Sequence, residues 1–173
     1  MKSAILGEIC DRANGVIQTG PFGSQLHQSD YRSEGVPVVM PQDIVGNRIS
    51  NEKIAYIDEA MAHRLGRHLL AKGDIVFPRR GEISKCAIID QEQEGYFCGT
   101  GCLKISIPPL EVLSQWLFYY LSLKHVVQWI EGKAVGATML NLNTGILRSV
   151  PVDYPPISDQ KRVVECLSVT TRV

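Results

Sequence analysis

Neither sign of charge dominates this chain. Eighteen lysines and arginines balance eighteen aspartates and glutamates over 173 residues, so no global field draws the molecule to nucleic acid or to an anionic membrane. Any polyanion has to be met by a local patch. No apolar run approaches the roughly 20 residues that cross a bilayer. The opening "MKSAILGEICDRANG" has no sustained signal-peptide core, and the expected location is the cytoplasm. The five cysteines, Cys10, Cys86, Cys98, Cys102 and Cys166, are odd in number and scattered among apolar neighbours, which suits reduced thiols better than a disulfide framework. Zinc finds little support. Cys98 and Cys102 in "FCGTGCL" are not a Cys-x-x-Cys pair, and no second pair answers them. His63 and His68 fall on different faces of a helix, and both are expected at the surface or partly buried.

Catalytic signatures are missing too. "GPFGSQL" lacks the lysine of a phosphate-binding loop, and neither Gly-x-Ser-x-Gly nor His-Glu-x-x-His occurs. No two carboxylates are paired in a way that assigns acid–base work. "DYPP", Asp153 to Pro156, has the letters of the Asp/Asn-Pro-Pro-Tyr tetrapeptide of adenine methyltransferases, but its tyrosine precedes the prolines. It reads as an extended exit from the domain.

What is present describes a globular domain. Hydrophobic residues make up 45% and charged residues 21%, ordinary values for one domain with a real core. Short strands are predicted at Val36–Met40, in "KIAYID", on both sides of the turn in "GDIVFPRRGEISKCAIID", in "GYFCGTGCLKISIP" and at Val150–Val152. Residues 58–71 carry Ala60, Met61, Leu65, Leu69 and Leu70 at helical spacing, with Asp58 as N-cap. "EVLSQWLFYYLSLKHVVQWIEGK" is the strongest helix, and the spacing of its aromatic residues places them in the core and not on a base-stacking surface. After Pro156 a last helix begins. Ile157, Val164, Leu167 and Thr171 lie along one of its seams. The fold class is α+β: one mixed domain of short strands with a packed amphipathic helix, followed by the start of a long C-terminal helix.

Five segments carry a resemblance in register: "GVIQTGPFGSQLHQSDYRSEGVPVVMPQDI", "GDIVFPRRGEISKCAII", "GTGCLKIS", "GATMLNLNTGILRSVPVDYPP" and "ISDQKRV". Together they resemble the target recognition domain of a type I restriction–modification specificity subunit, from about Leu6 to Arg172. The resemblance implies a non-catalytic reader of double-stranded DNA over residues 1–155 and the beginning of a spacer helix over 156–173. Such subunits normally hold two readers, one for each half of a split target. Their partners would be methyltransferase and restriction subunits, to which S-adenosylmethionine, ATP and Mg would belong; this chain would bind no cofactor itself. One reader and a short spacer suggest an excised half or a short subunit that pairs with a second copy. A fused type II restriction–methylation module and an oligomerising adaptor stand as alternatives.

With that resemblance, several side chains become candidates for DNA contact. Arg79 and Arg80 meet a glycine turn with Lys85 close behind, and guanidinium forks match guanine or phosphate; the alternative is an exposed arginine beside an ordinary ion-pair partner. Ser24 and Gln25 lie in "GPFGSQL", which equally suits a turn buttressing the first strand. Asn47 and Arg48 sit on a turn that reads as well as a solvated hairpin tip. "GKAVGATMLNLN" supplies Lys133 and Thr138, while its Asn141 and Asn143 are expected chiefly to satisfy loop backbone. On the last helix, Ile157, Val164 and Leu167 are candidates for a partner helix, packing on the chain's own domain being the alternative.

Overall fold

The computed structural model describes residues 1–134 and 139–170. The chain opens with β1 (Lys2–Ile5), α1 (Leu6–Arg12), β2 (Val16–Thr19), β3 (Tyr31–Arg32), β4 (Val36–Val39), β5 (Ile44–Val45) and β6 (Arg48–Ile49). It continues through β7 (Ala55–Ile57), α2 (Glu59–Arg64), β8 (Ile75–Pro78), β9 (Ala87–Ile88), β10 (Phe97–Cys98) and β11 (Cys102–Ser106). Then come α3 (Ser114–Leu121), α4 (Lys124–Lys133), α5 (Thr144–Arg148), β12 (Pro151–Tyr154) and α6 (Ile157–Thr170).

The centre is an antiparallel sheet in the order β2-β11-β8-β9. All four residues of β8 are buried because both faces of the sheet are covered. Ile75 and Phe77 enter the largest core cluster, with α1, α3, α4 and α5, while Val76 points into a second cluster with Val39, Ile44 and Ile89. Side chains alternate between faces along a strand, so a doubly covered strand reads as an unbroken apolar run. The second sheet runs β10-β4-β7-β3, with β10 parallel to β4 and the other pairs antiparallel. The sequence suggests a β-rich segment with a glycine-bearing bend over residues 95–108, and at that bend, at Gly99, the chain changes sheets. A Cβ on Gly20 would overlap the Gly99 carbonyl oxygen, and one on Gly99 would lie 2.7 Å from the Val39 oxygen. Only glycine allows the backbones of β2, β4 and the 99–101 turn to approach so closely.

Three helical expectations change in detail. The long aromatic helix is two, α3 and α4, broken where Leu123 turns extended (φ −65, ψ 136). Ser122 Oγ donates to the Phe118 carbonyl at 2.8 Å, a side-chain bond back to the preceding turn that competes with helix propagation. Its aromatics do build core: Trp116 is buried and stacks on Tyr120 with ring centres 5.2 Å apart. The expected 58–71 helix is shorter, with Asp58 capping as anticipated through a 2.7 Å bond from the Met61 N–H. The chain then passes into a single 3₁₀ turn, Gly66–His68. His68, expected at the surface or partly buried, is wholly buried. It tilts against Phe97, and Arg67 Nε donates to its Nε2 at 3.3 Å.

The last helix is fastened by one amide. Gln160 is fully buried. Its Oε1 accepts from the Leu113 N–H at 2.8 Å, and its Nε2 donates to the Glu111 and Pro155 carbonyls at 2.8 Å each. These bonds pin α6 to the loop entering α3 and to the proline turn. Beside them, Arg12 and the Tyr154 hydroxyl donate to Glu111 Oε2 at 2.7 and 3.0 Å.

Two expectations follow. Gln160→Ala strips three partly buried backbone groups of their partner and is expected to lower stability by about 1–3 kcal/mol, read from urea unfolding; a loss below about 0.5 kcal/mol would mean that the clamp is dispensable. Burial, with Arg67 and Lys104 nearby, lowers the His68 pKa to about 4, below the roughly 6.5 of an unfolded histidine. The stability that a neutral folded imidazole contributes is therefore complete above about pH 6.5 and is lost as the pH falls to 4, by roughly 3 kcal/mol. His68→Gln should flatten that slope in unfolding curves taken between pH 7 and 4.

Candidate nucleic-acid interface

The backbone beyond β8 builds the candidate site. Past Pro78 the chain stays extended. The Arg79 N–H donates to the Gly101 carbonyl at 2.8 Å, and the Leu142 N–H donates to the Arg79 carbonyl at 2.7 Å. The Gly81 N–H reaches the Leu140 carbonyl at 3.3 Å, so residues 140–142 lie antiparallel against 79–81 with Arg80 opposite Asn141. Gly81 then turns with φ +76, a left-handed conformation that glycine adopts without strain. Three distant segments thus converge at one end of the central sheet. The 20–26 turn joins them, since the Gly20 N–H donates to the Cys102 carbonyl and Thr100 Oγ1 donates to the Pro21 carbonyl, both at 2.9 Å.

At this end Arg80 is exposed and Arg79 half-buried. Neither makes an ion pair among the described residues, and Arg79 Nε is shielded from solvent without a hydrogen-bond partner. Arg80 and Lys85 line one cleft with Pro41, Pro78 and Glu82. Lys85 is paired with Glu82 one helical turn away in sequence, so its charge is partly neutralised where the two arginines keep theirs. Ser24 is exposed in the adjoining turn. Gln25 is committed to that turn: its Oε1 accepts from the Phe22 N–H at 3.2 Å, and its carbonyl accepts from Arg64 Nη2 at 3.2 Å. The buttressing role is therefore visible for Gln25, while Ser24 stays available.

Asn47 and Arg48 do not join this group. They form the tip of the β5–β6 hairpin, Asn47 holding the left-handed turn at φ +61. Their cleft is lined by Ile88, Asp90, Phe118, Tyr119 and Ser168. Ile88 pairs with Ile75 at the start of β8, whereas Arg79 and Arg80 follow its end. An extended chain covers about 17 Å between Ile75 and Arg80, so the two cationic groups occupy opposite ends of the sheet. Lys133 closes α4, exposed, with its Nζ 5.7 Å from the centre of the Trp129 ring. Thr138 lies outside the described residues. Asn143 has the structural role foreseen for it, since its Oδ1 caps α5 through a 2.8 Å bond from the Ile146 N–H. Asn141 does not share that role; its Oδ1 is buried and unpartnered.

The α6 seam divides. Val164 packs against the chain's own core and Ile157 is half-buried, while Leu167 is 40% exposed. The solvent-facing apolar groove is instead lined by Val163, Cys166 and Leu167 between Asp159 and Arg162. The signal for this division was Gln160. A polar residue that is fully buried on the Ile157–Val164 side marks that side as the docked face.

No helix among the described residues is long and apolar enough to cross a membrane. The two core thiols Cys98 and Cys102 are wholly buried, and burial pushes Cys98 up to about 12 and Cys102 well above the ordinary range. Thiols so disfavoured as thiolates suit packing better than reactivity.

The chain is an α+β domain that gathers two arginines without ion-pair partners among the described residues at one sheet end and closes with a docked helix. The chain belongs to the family described as the type I restriction modification DNA specificity domain, whose model matches residues 6–172. A Haemophilus influenzae protein provisionally described as a type I restriction enzyme specificity subunit is 30% identical over 96 residues, covering 56% of this chain and 23% of that protein. Among solved structures, a chain from a study of complex assembly and conformational transition of the type I R-M system aligns over 99% of this chain and 38% of its own, with TM-score 0.70 and 18% identity. The S subunit of a type I restriction–modification system from M. genitalium aligns over 97% and 38%, with TM-score 0.64 and 18% identity. These structural likenesses establish the fold. The chain spans well under half the length of each of these relatives.

Proposed function

We propose that this chain is the DNA-reading part of a type I restriction–modification specificity subunit. It reads one half of a split target and carries no catalytic group of its own. The observation that supports this best is the pair Arg79–Arg80, held by main-chain bonds to residues 101, 140 and 142 and without carboxylate partners among the described residues. Two guanidiniums without ion-pair partners among the described residues, in a chain of zero net charge, supply the kind of local patch a polyanion would have to meet. Arginine forks suit guanine edges and phosphates, and rigid presentation lowers the entropy lost on binding. Arg48 and Asn47, at the far end of the sheet, are assigned to a separate contact along the duplex or to none in the same groove.

On this reading residues 156–173 begin the spacer. Its Val163–Leu167 groove meets the counterpart helix of a second reader, and methyltransferase and restriction subunits assemble around that pair. S-adenosylmethionine, ATP and Mg belong to those subunits. The family match favours this over a fused type II module or an adaptor without sequence preference.

The double variant Arg79→Ala/Arg80→Ala, in the assembled complex, is expected to bind target duplex at least tenfold more weakly at 0.1 M salt. Its plot of log affinity against log salt should be shallower by about one to two units, with unchanged thermal unfolding. A folded double variant that binds as tightly as the parent would overturn the patch. Val163→Asp/Leu167→Asp should abolish helix pairing, read as a fall in mass by light scattering, while the reader stays folded.

A further inference from the structure

The strand pairing that builds the interface also sets an unsatisfied acceptor beside an unpaired arginine. The Arg80–Asn141 bridge is flanked by the Leu142-to-Arg79 bond at 2.7 Å and the Gly81-to-Leu140 bond at 3.3 Å. That pattern makes it a non-hydrogen-bonded pair, whose Cα atoms lie about 4.5 Å apart with side chains close together on one face. Leu142, next along the strand, points the other way and is wholly buried. Arg80 and Asn141 therefore project from the same side of the two-stranded edge.

Asn141 Oδ1 is shielded from solvent and accepts no hydrogen bond, a standing penalty for the unbound protein. Chemistry narrows what relieves it. Phosphate and deoxyribose oxygens only accept hydrogen bonds, so the backbone of DNA cannot satisfy an acceptor. In the major groove the donors are the amino groups of adenine and cytosine, and adenine alone sets a donor beside an acceptor to match both ends of an amide. Arg80 offers donors only and matches guanine.

We infer that Asn141 and Arg80 form a cross-strand base-reading pair, with Asn141 specifying an adenine and Arg80 the same or a neighbouring base pair. The amide turns outward about its soft terminal torsion to do so. Successive bases are about 3.4 Å apart along a strand, close to the separation of the two Cα atoms. The inference rests on the DNA-reading function proposed above, and it parts Asn141 from Asn143, which is used up in capping α5.

The test is to assemble complexes with the parent chain, Asn141→Ala, Asn141→Asp and Arg80→Ala, and to map the methylated motif of each on genomic DNA. Binding to duplexes substituted one base pair at a time is then measured. Asn141→Ala should lose roughly 5- to 100-fold in discrimination at one adenine position and leave the other positions unchanged. Asn141→Asp, of nearly identical shape and able only to accept, should shift that position towards cytosine. Arg80→Ala should relax the same or an adjacent position. If Asn141→Ala and Asn141→Asp keep the parent motif, or weaken binding equally on every sequence, the inference is wrong while the DNA-reading function stands. If the parent complex itself shows no sequence preference, the functional reading falls first. Should Asn141→Ala fail to fold, the near-isosteric Asn141→Asp still decides.

Discussion

Two backbone hydrogen bonds, from Leu142 to Arg79 and from Gly81 to Leu140, hold together the edge on which the candidate site stands. They extend the central sheet beyond β8 by pairing it with a segment that lies after α4. Without them Arg79 and Arg80 would sit on a free turn, and their guanidiniums would sample many directions. With them the direction of each side chain is set by strand alternation, and Arg80 gains Asn141 as a fixed neighbour. The bond from Arg79 to Gly101 ties the same edge to the sheet-switching turn, so the candidate site shares its frame with the core.

The second constraint is the amide of Gln160, which lets one short helix serve two surfaces. Its three bonds commit the Ile157–Val164 side of α6 to the domain and so orient the Val163–Leu167 side outward. On the proposed reading, in which α6 begins a spacer between two readers, the helix has to leave its domain at a set angle. A buried polar clamp supplies direction where apolar contacts alone would permit sliding, because hydrogen bonds lose strength steeply with misalignment. The wholly buried His68 and the nearly buried Lys104, which donates to the Leu69 carbonyl at 2.8 Å, discipline the space between the two sheets in a similar way.

Much of the fold was legible along the chain. The strands at 36–40 and 75–78 and the cap at Asp58 were read close to where they stand, since each rests on local pattern. The errors have local causes that tertiary contacts decided. The aromatic helix breaks because Ser122 bonds back to Phe118, a choice periodicity does not register. His68 was read on a continuous 58–71 helix as surface or partly buried; the 3₁₀ turn that replaces the end of that helix carries it under Phe97. The "GYFCGTGCL" stretch showed its glycine bend, but that the bend changes sheets depends on a close approach of Gly99 to Gly20, nearly eighty positions away in the chain.

The candidate site divides along the same line. Composition and motif order, by themselves, indicated an α+β domain in which any polyanion would have to meet a local patch, and pointed to Arg79 and Arg80 at a glycine turn as its leading candidate. Their identity and adjacency are properties of covalent neighbours. Only the folded chain decided that Asn47 and Arg48 lie at the other end of the sheet, that Lys85 is paired with Glu82, that Val164 faces inward, and that Asn141 stands beside Arg80. Those are relations between residues far apart in the chain, and they follow from which backbone groups pair and which surfaces are buried together.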